Sequence, residues 1–312
     1  MRRFVARAAA FGALVALVVG GVCLAEVAAE VRAYRAELVA PPQATVLVCG
    51  DSQAGGAVDP EECPRFFNFS AHGRSLDQSL LVAMDVLDRN PGKAMKAVVL
   101  DVTPAAAASS LSCGLDEMGY AGKYWLVHFL HPGESLRRLG SGIVVARDNL
   151  VGRRLRHFWR AVRGKVEFES SLKGGFVTVE TVDRRDSPDR YWKLVRGKAD
   201  SVRGLAALGP EPPFASIVLD RFVREARARG VEPVLMTTPW NADLRAACAD
   251  GELEAFTAAM DAFAKSRGCA YVDFLRTEFA DELWGDGNHF NHAGARAFTK
   301  ALARELEKRS LL

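Results

Sequence analysis

The sequence lacks a strong net charge, closely spaced cysteine pairs and any internal repeat. Its 41 Lys and Arg against 38 Asp and Glu leave a formal charge of +3, which is too small to indicate a nucleic-acid partner. No two of its six cysteines stand at the short spacing typical of zinc sites. We therefore predict no nucleic acid, no metal and no cofactor. With 49% hydrophobic and 25% charged residues, the composition is typical of an ordinary folded protein.

The N-terminal segment has no charged residue from Ala8 to Ala25. Three arginines lie among the seven residues that precede this run. An uncharged run of this length can span a bilayer, and the preceding positive charge favours a cytoplasmic N-terminus. A signal peptide cleaved within Ala25–Ala29 is the alternative. We predict a single-pass anchor in a bacterial inner membrane over residues 1–26.

The rest of the chain divides into a stalk over residues 27–42 and one domain over residues 43–312, which the anchor would place outside the cytoplasm. The consecutive prolines Pro41 and Pro42 end the helical pattern of the stalk. Residues 105–213 read as an insertion that forms a lid, because the regular pattern of the domain is lost there.

Five short apolar runs in the domain alternate with helical patterns, which predicts a parallel sheet covered on both faces. The predicted strands are Thr45–Cys49, Phe66–Phe69, Ala97–Val102, Pro233–Thr237 and Ala270–Phe274. The predicted helices are Leu76–Leu87, Phe214–Arg229 and Leu253–Lys265.

Within the insertion, the run Phe176–Val182 predicts a strand and the arginine-rich stretch over residues 137–165 predicts a basic amphipathic helix. Such a helix can face an anionic membrane or polymer. It can also pack its apolar face on the core and leave its basic face in water, and both interpretations stay open.

A Gly50-Asp51-Ser52 turn directly follows the first predicted strand. It would expose a serine hydroxyl at the carboxyl end of that strand. A serine nucleophile needs this exposure, together with a base within hydrogen-bond reach and backbone N–H groups that stabilise an oxyanion. A structural turn is the alternative for this tripeptide alone.

A second motif, Asp286-Gly287-Asn288-His289, precedes the last helical run. An Asp three residues before a His can orient the imidazole through one ring nitrogen and leave the other free to face a hydroxyl. Asp286 could instead cap the helix. His292 is a second candidate for the base.

Together, the Gly-Asp-Ser turn and the Asp-x-x-His motif resemble those of the SGNH or GDSL hydrolase family. The resemblance covers about residues 43–108 and 214–308. It implies a three-layer α/β/α flavodoxin-like fold with Ser52 as nucleophile, His289 as base and Asp286 as its orienting group.

The resemblance also implies backbone oxyanion donors, for which the sequence offers Ser52 and Gly73. The family's third donor, an asparagine in a Gly-x-Asn-Asp block after the third strand, has no counterpart in Leu100–Pro104. We predict Asp51, Trp240 and Asn241 as substrate-binding residues, because they follow the first and fourth strands at the crevice end of the sheet. Core packing explains Trp240 equally well.

These features predict a serine ester hydrolase or O-acyltransferase that forms an acyl-enzyme. Its predicted substrate is an ester-bearing envelope glycan or a small ester. Anchored relatives of this kind, such as the D-alanyl transfer protein, suggest a membrane acyl-donor protein as partner. A catalytically inert envelope protein with the same fold, and an esterase that acts on lipid esters at the membrane surface, are the alternatives.

Overall fold

The computed structural model describes residues 1–92, 95–111, 130–131, 184–203, 205 and 218–312. The chain divides into two compact units, of which the first includes Met1–Leu38 and the second begins at Val39. The second unit contains both predicted motifs.

The first unit contains the helix α1 (Arg2–Glu37), which is 36 residues long. Large apolar side chains such as Phe4, Phe11 and Leu17 are exposed along it. Within the ranges given above, no helix is long and apolar enough to cross a membrane. The anchor over residues 1–26 therefore stays a prediction.

The second unit is built on a five-stranded sheet in which every neighbouring pair is parallel. The spatial order is β2-β1-β3-β4-β5, which is the order of flavodoxin-like doubly wound folds. The predicted α/β class and parallel sheet are thus confirmed. The strands are β1 (Val46–Cys49), β2 (Phe66–Asn68), β3 (Ala97–Asp101), β4 (Glu232–Thr237) and β5 (Ala270–Asp273).

Helices connect the strands. The bounds that the structure gives are α2 (Ser52–Ala57), α3 (Leu76–Arg89), α4 (Pro104–Leu111), α5 (Pro188–Ser201), α6 (Asp220–Ala228), α7 (Ala242–Ala247), α8 (Glu252–Arg267) and α9 (His292–Lys308), with a short 3-10 helix at Asp281–Leu283.

The two faces of the sheet are covered by different helices. Val46 and Val48 of β1 belong to a cluster of buried residues that also includes the apolar sides of α2 and α9. Leu47 points to the opposite face, because side chains alternate along a strand, and it is also fully buried. On that face α3 contacts β1 and α6 contacts β4. Both faces are therefore closed, as the continuous apolar runs predict.

Much of the predicted insertion lies outside the described residues. The strand predicted at Phe176–Val182 and the basic helix predicted over residues 137–165 are both in this category. Its described parts include α4 and α5, and α5 contacts α7. The helix predicted over Phe214–Arg229 is described from Asp220 to Ala228 as α6.

We expect Gly294→Ala to destabilise the second unit. A Cβ at this position would lie 2.1 Å from the Leu283 carbonyl oxygen and 2.5 Å from Cδ1 of Phe290, so the backbone would have to move. Such overpacking costs about 1–3 kcal/mol. Gly197→Ala is the matched control, because a Cβ there, inside α5, meets no atom within 4 Å.

The control should stabilise its helix by about 0.5–1 kcal/mol, since alanine restricts the unfolded chain more than glycine does. Urea unfolding followed by circular dichroism measures both effects. A Gly294→Ala protein with the wild-type midpoint would contradict the tight fit at the start of α9.

Candidate active site

The first element of the site is the sharp turn at Gly50, between β1 and α2. A Cβ on Gly50 would lie 2.7 Å from Cβ of Asp101 and 3.0 Å from Cβ of Ala54. No residue with a side chain fits so close to the end of β3. Glycine therefore lets the chain turn directly from the sheet into α2, with Ser52 as the first residue of that helix.

Asp51 shapes this turn with its carboxylate. Its Oδ1 accepts a hydrogen bond of 2.7 Å from the Gln53 N–H and caps α2. Its Oδ2 lies 3.5 Å from the Thr103 hydroxyl. These contacts give Asp51 a structural use, and the predicted contact with substrate stays a prediction.

Ser52 and His289 lie next to each other, although 237 positions separate them in the sequence. The distance from Ser52 Oγ to His289 Nε2 is 3.0 Å. On the other side of the ring, His289 Nδ1 lies 2.9 Å from Asp286 Oδ2 and 3.1 Å from Oδ1. The structure thus brings together the three side chains that the two motifs predict.

Backbone contacts within the motif hold the Asp286 carboxylate and His289 in place. Oδ1 of Asp286 accepts hydrogen bonds from the N–H groups of Asn288, at 2.9 Å, and His289, at 2.8 Å. At the two ends of the loop, the rings of Trp284 and Phe290 stack with centroids 4.3 Å apart. Directly after it, Asn291 caps α9 by accepting from the Gly294 N–H at 3.0 Å.

The ionised state of Asp286 determines which ring nitrogen of His289 carries the hydrogen. Burial raises the pKa of the carboxyl, but the hydrogen bond and charge of His289 and the Asn288 N–H outweigh it, so the pKa lies below its ordinary value of 3.8. A carboxylate can only accept, so Nδ1–H donates to Asp286. In neutral His289, Nε2 then faces Ser52 as an acceptor, which allows it to take the serine proton.

His292, the second candidate for the base, is directed elsewhere. Its Nε2 lies 3.7 Å from Oδ2 of Asp59, a buried carboxylate beyond the far end of α2. The hydroxyl of Ser52 has His289 as its partner. The geometry therefore favours His289 over His292 as the base.

The turn that contains Gly73 is tied to the Ser52 turn. The N–H of Ala71 donates to the Gly50 carbonyl at 3.2 Å, which joins the segment after β2 to the end of β1. Gly73 has a φ of +70°, a conformation that glycine adopts without strain. The oxyanion role of its N–H stays a prediction.

Trp240, also predicted to bind substrate, has a structural partner. Its side chain is fully buried, and its Nε1–H donates to Oε1 of Gln53 at 2.7 Å. Through this hydrogen bond, Trp240 holds Gln53 and thereby α2 in place. Its predicted contact with substrate stays a prediction.

Asn241 is partly buried and has structural partners. Its Oδ1 accepts from the Leu244 N–H at 2.9 Å and caps α7, and its Nδ2 donates to the Tyr191 hydroxyl at 2.7 Å. Its backbone N–H donates to the Gly287 carbonyl at 3.0 Å, which ties it to the loop of the His289 motif. A direct contact with substrate stays a prediction.

Sequence reasoning missed two groups of residues near the site. Tyr191 of α5 reaches Asn241 and also donates to Asp243 at 2.9 Å. Asp101, Gln53 and Thr238 form buried polar contacts below the Ser52 turn. A polar residue at the end of an otherwise apolar strand was the available signal for Asp101. In the part of the chain that the structure describes, no cluster of His, Cys, Asp and Glu could hold a metal ion.

We expect Asp286→Asn to lower the stability of the folded protein at neutral pH by on the order of 2 kcal/mol, the typical contribution of hydrogen bonds to a charged group. Because the pKa of Asp286 is lowered on folding, this contribution is full above pH 3.8 and is lost as the pH falls through the folded value. The difference from wild type should therefore shrink below pH 3.8.

Chemical unfolding at a series of pH values measures this difference. Asp261→Asn, at an exposed i,i+4 pair with Lys265, is the matched control and should change stability by less than about 0.5 kcal/mol. A stability difference for Asp286→Asn that does not change between pH 7 and pH 3 would contradict the lowered pKa.

Comparisons with known proteins give little further information. No family model matches the chain, and no curated protein is similar to it in sequence. One solved structure, provisionally described as a platelet activating factor from Streptococcus pneumoniae, is 15% identical, with 94% of this chain and 99% of that chain covered. The TM-score of this match is 0.41.

Proposed function

We propose that the chain is a serine-dependent acyl hydrolase or acyltransferase of the SGNH type. The observation that carries this proposal is the continuous hydrogen-bonded series Ser52 Oγ, His289 and Asp286, with distances of 3.0 and 2.9 Å. A serine, an imidazole and a carboxylate in this order are the groups that convert a weak hydroxyl into a nucleophile.

In the proposed reaction, Ser52 Oγ attacks the carbonyl carbon of an ester while its proton passes to Nε2 of His289. Asp286 stabilises the imidazolium that forms and keeps the ring oriented. The tetrahedral intermediate then collapses, and the leaving alcohol takes the proton from His289. In the second half, water or a sugar hydroxyl gives its proton to His289 and attacks the acyl carbon. When this second intermediate collapses, the bond to Ser52 Oγ breaks and Oγ takes the proton back from His289.

The proposed oxyanion donors are the backbone N–H groups of Ser52 and Gly73. The third donor of the family has no replacement at Thr103, since this residue after β3 is fully buried and its hydroxyl accepts from the Ala106 N–H at 3.1 Å. Loss of one oxyanion donor typically lowers turnover by about a hundredfold or more. We therefore expect slow turnover of simple esters.

For the substrate, we propose an ester-bearing glycan of the cell envelope, with the acyl group drawn from a membrane acyl-donor protein in the transferase form of the reaction. The uncharged stretch Ala8–Ala25 in the sequence supports an extracytoplasmic location. A small soluble ester would serve as a surrogate substrate in either case.

The test is covalent labelling of the purified protein with a fluorophosphonate, followed by intact-mass and peptide mass spectrometry. We expect one adduct, on Ser52, in the wild type. Ser52→Ala should give none, and His289→Ala should slow labelling by about 10³-fold or more, the order of loss when a triad member is removed.

His292→Ala is the matched control, because this histidine is three residues away and directed at Asp59. It should label at the wild-type rate. The absence of any adduct in folded wild-type protein would contradict the enzyme proposal and favour the catalytically inert envelope protein, which the missing Gly-x-Asn-Asp block also suggests.

The choice between hydrolysis and transfer can be measured on the same protein. With para-nitrophenyl acetate as donor, a transferase should release nitrophenol faster when a glycan acceptor is added, and acetyl groups should appear on the glycan. A release rate independent of the glycan, with acetate as the sole acyl product, would indicate a hydrolase.

A further inference from the structure

A buried polar cluster lies directly below the Ser52 turn. It consists of Gln53, Asp101, Thr238 and Trp240, each at most 2% exposed. These residues come from α2, the end of β3 and the segment after β4. We call them the Asp101 cluster. The proposed chemistry of Ser52 does not use any of them directly.

The orientation of the Gln53 amide in this cluster follows from its neighbour. The indole Nε1–H of Trp240 can only donate, and it lies 2.7 Å from Gln53 Oε1. The atom of the amide that faces Trp240 must therefore be the oxygen. The same oxygen lies 3.3 Å from the hydroxyl of Thr238.

The hydroxyl of Thr238 lies between two acceptor oxygens but has only one hydrogen to donate. Its Oγ1 lies 3.3 Å from Gln53 Oε1 and also 3.3 Å from Asp101 Oδ2. If Asp101 were ionised, the hydroxyl could serve one of these oxygens, and the other would face it without a hydrogen. If Asp101 carries a proton, it donates to Thr238, and Thr238 donates to Gln53. The protonated form satisfies both contacts.

The surroundings also disfavour a charge on Asp101. Burial raises the pKa of this carboxyl well above its usual range, and the nearby charge of Asp51 raises it further. Hydrogen bonds from Thr238 and Ala54 work in the opposite direction without reversing the shift. From β5, Tyr271 is close enough to interact electrostatically with the carboxyl, and burial raises the pKa of that phenol, so it stays neutral and offers no charge to stabilise an ionised Asp101.

We propose that Asp101 is a neutral carboxylic acid in the folded protein and is a positioning residue for Ser52, which deepens the proposed function and rests on it. The carboxyl hydrogen of Asp101 is donated to Thr238, and the hydroxyl hydrogen of Thr238 is donated to Gln53. This fixes the side chain of Gln53, which is the residue next to Ser52 in the chain. The Cβ of Asp101 meanwhile closes the space beside Gly50. The turn that exposes the Ser52 hydroxyl is thus held in place by an uncharged carboxylic acid.

The first test is the pH dependence of stability in Asp101→Asn, since an amide can donate to Thr238 at every pH. In the wild type, the raised pKa means that folding takes up a proton at any pH between the unfolded value of 3.8 and the folded value. The stabilising contribution is therefore full below pH 3.8 and is lost as the pH rises toward the folded value.

Accordingly, the Tm of Asp101→Asn minus that of wild type should be near zero at pH 3.5 and should increase as the pH rises above 3.8. Asp261→Asn, on the exposed face of α8, should show no such slope. Infrared spectroscopy of the wild type at pH 7 should show the carbonyl stretch of a buried protonated carboxyl, which Asp101→Asn lacks. A variant less stable than wild type at pH 8, or no such band, would overturn the proposal.

The second test measures positioning. Asp101→Asn should label at Ser52 with the fluorophosphonate at a rate close to wild type. Asp101→Ala, which removes the donor, should label about a hundredfold more slowly, the order of loss when a reacting group is displaced by about 1 Å. The KM for a small ester should be unchanged in both variants.

Equal losses in the two variants would overturn the positioning role, because an ionised carboxylate would then be required. The stability and infrared measurements involve no reaction at Ser52. If wild-type protein gives no adduct while they behave as expected, the proposed function fails and the neutral state of Asp101 stands.

Discussion

The site depends on the packing of α2 against α9. One helix begins with Ser52 and the other begins at His292, three residues after His289, so their contact sets the distance between hydroxyl and imidazole. Thr299 of α9, fully buried, accepts a hydrogen bond of 2.9 Å from the Asp59 N–H just beyond α2. A polar bond inside an apolar interface fixes the register of the two helices, because sliding would leave buried groups unpaired.

Two buried carboxyl groups on either side of this packing are held in opposite states. Asp286 receives hydrogen bonds from a histidine and two backbone N–H groups, which lower its pKa. Asp101 lies deeper, beside another acid, and its pKa is raised. Burial disfavours the charge at both places, so the supply of donors and of neighbouring charge decides the outcome. A pair of carboxyls separated in this way can support different tasks near one site.

The sequence was sufficient for the parts that depend on local pattern. The apolar runs before Gly50 and before Asp101 predicted two central strands within a residue or two, because strands buried on both faces are continuously apolar. The two short motifs predicted that Ser52, Asp286 and His289 lie close together, because their order along the chain resembles that of the SGNH or GDSL family.

Contacts between distant segments could not be read in the same way. Trp240 was expected at a crevice because it follows a strand, but its indole N–H donates to Gln53, which is far away in the sequence. Tyr191 reaches Asn241 from a segment that has no regular pattern to indicate where it packs. The proposed protonation of Asp101 depends on hydrogen bonds among side chains from three separate segments of the chain.

The 237 positions between Ser52 and His289 also have a consequence for the synthesis of the protein. Contacts between such distant segments form late, because the chain must first close a long loop. The serine end leaves the ribosome long before its histidine partner exists. A growing chain therefore carries Ser52 without its partner, and the hydrogen-bonded pair of Ser52 and His289 forms when α9 docks against α2.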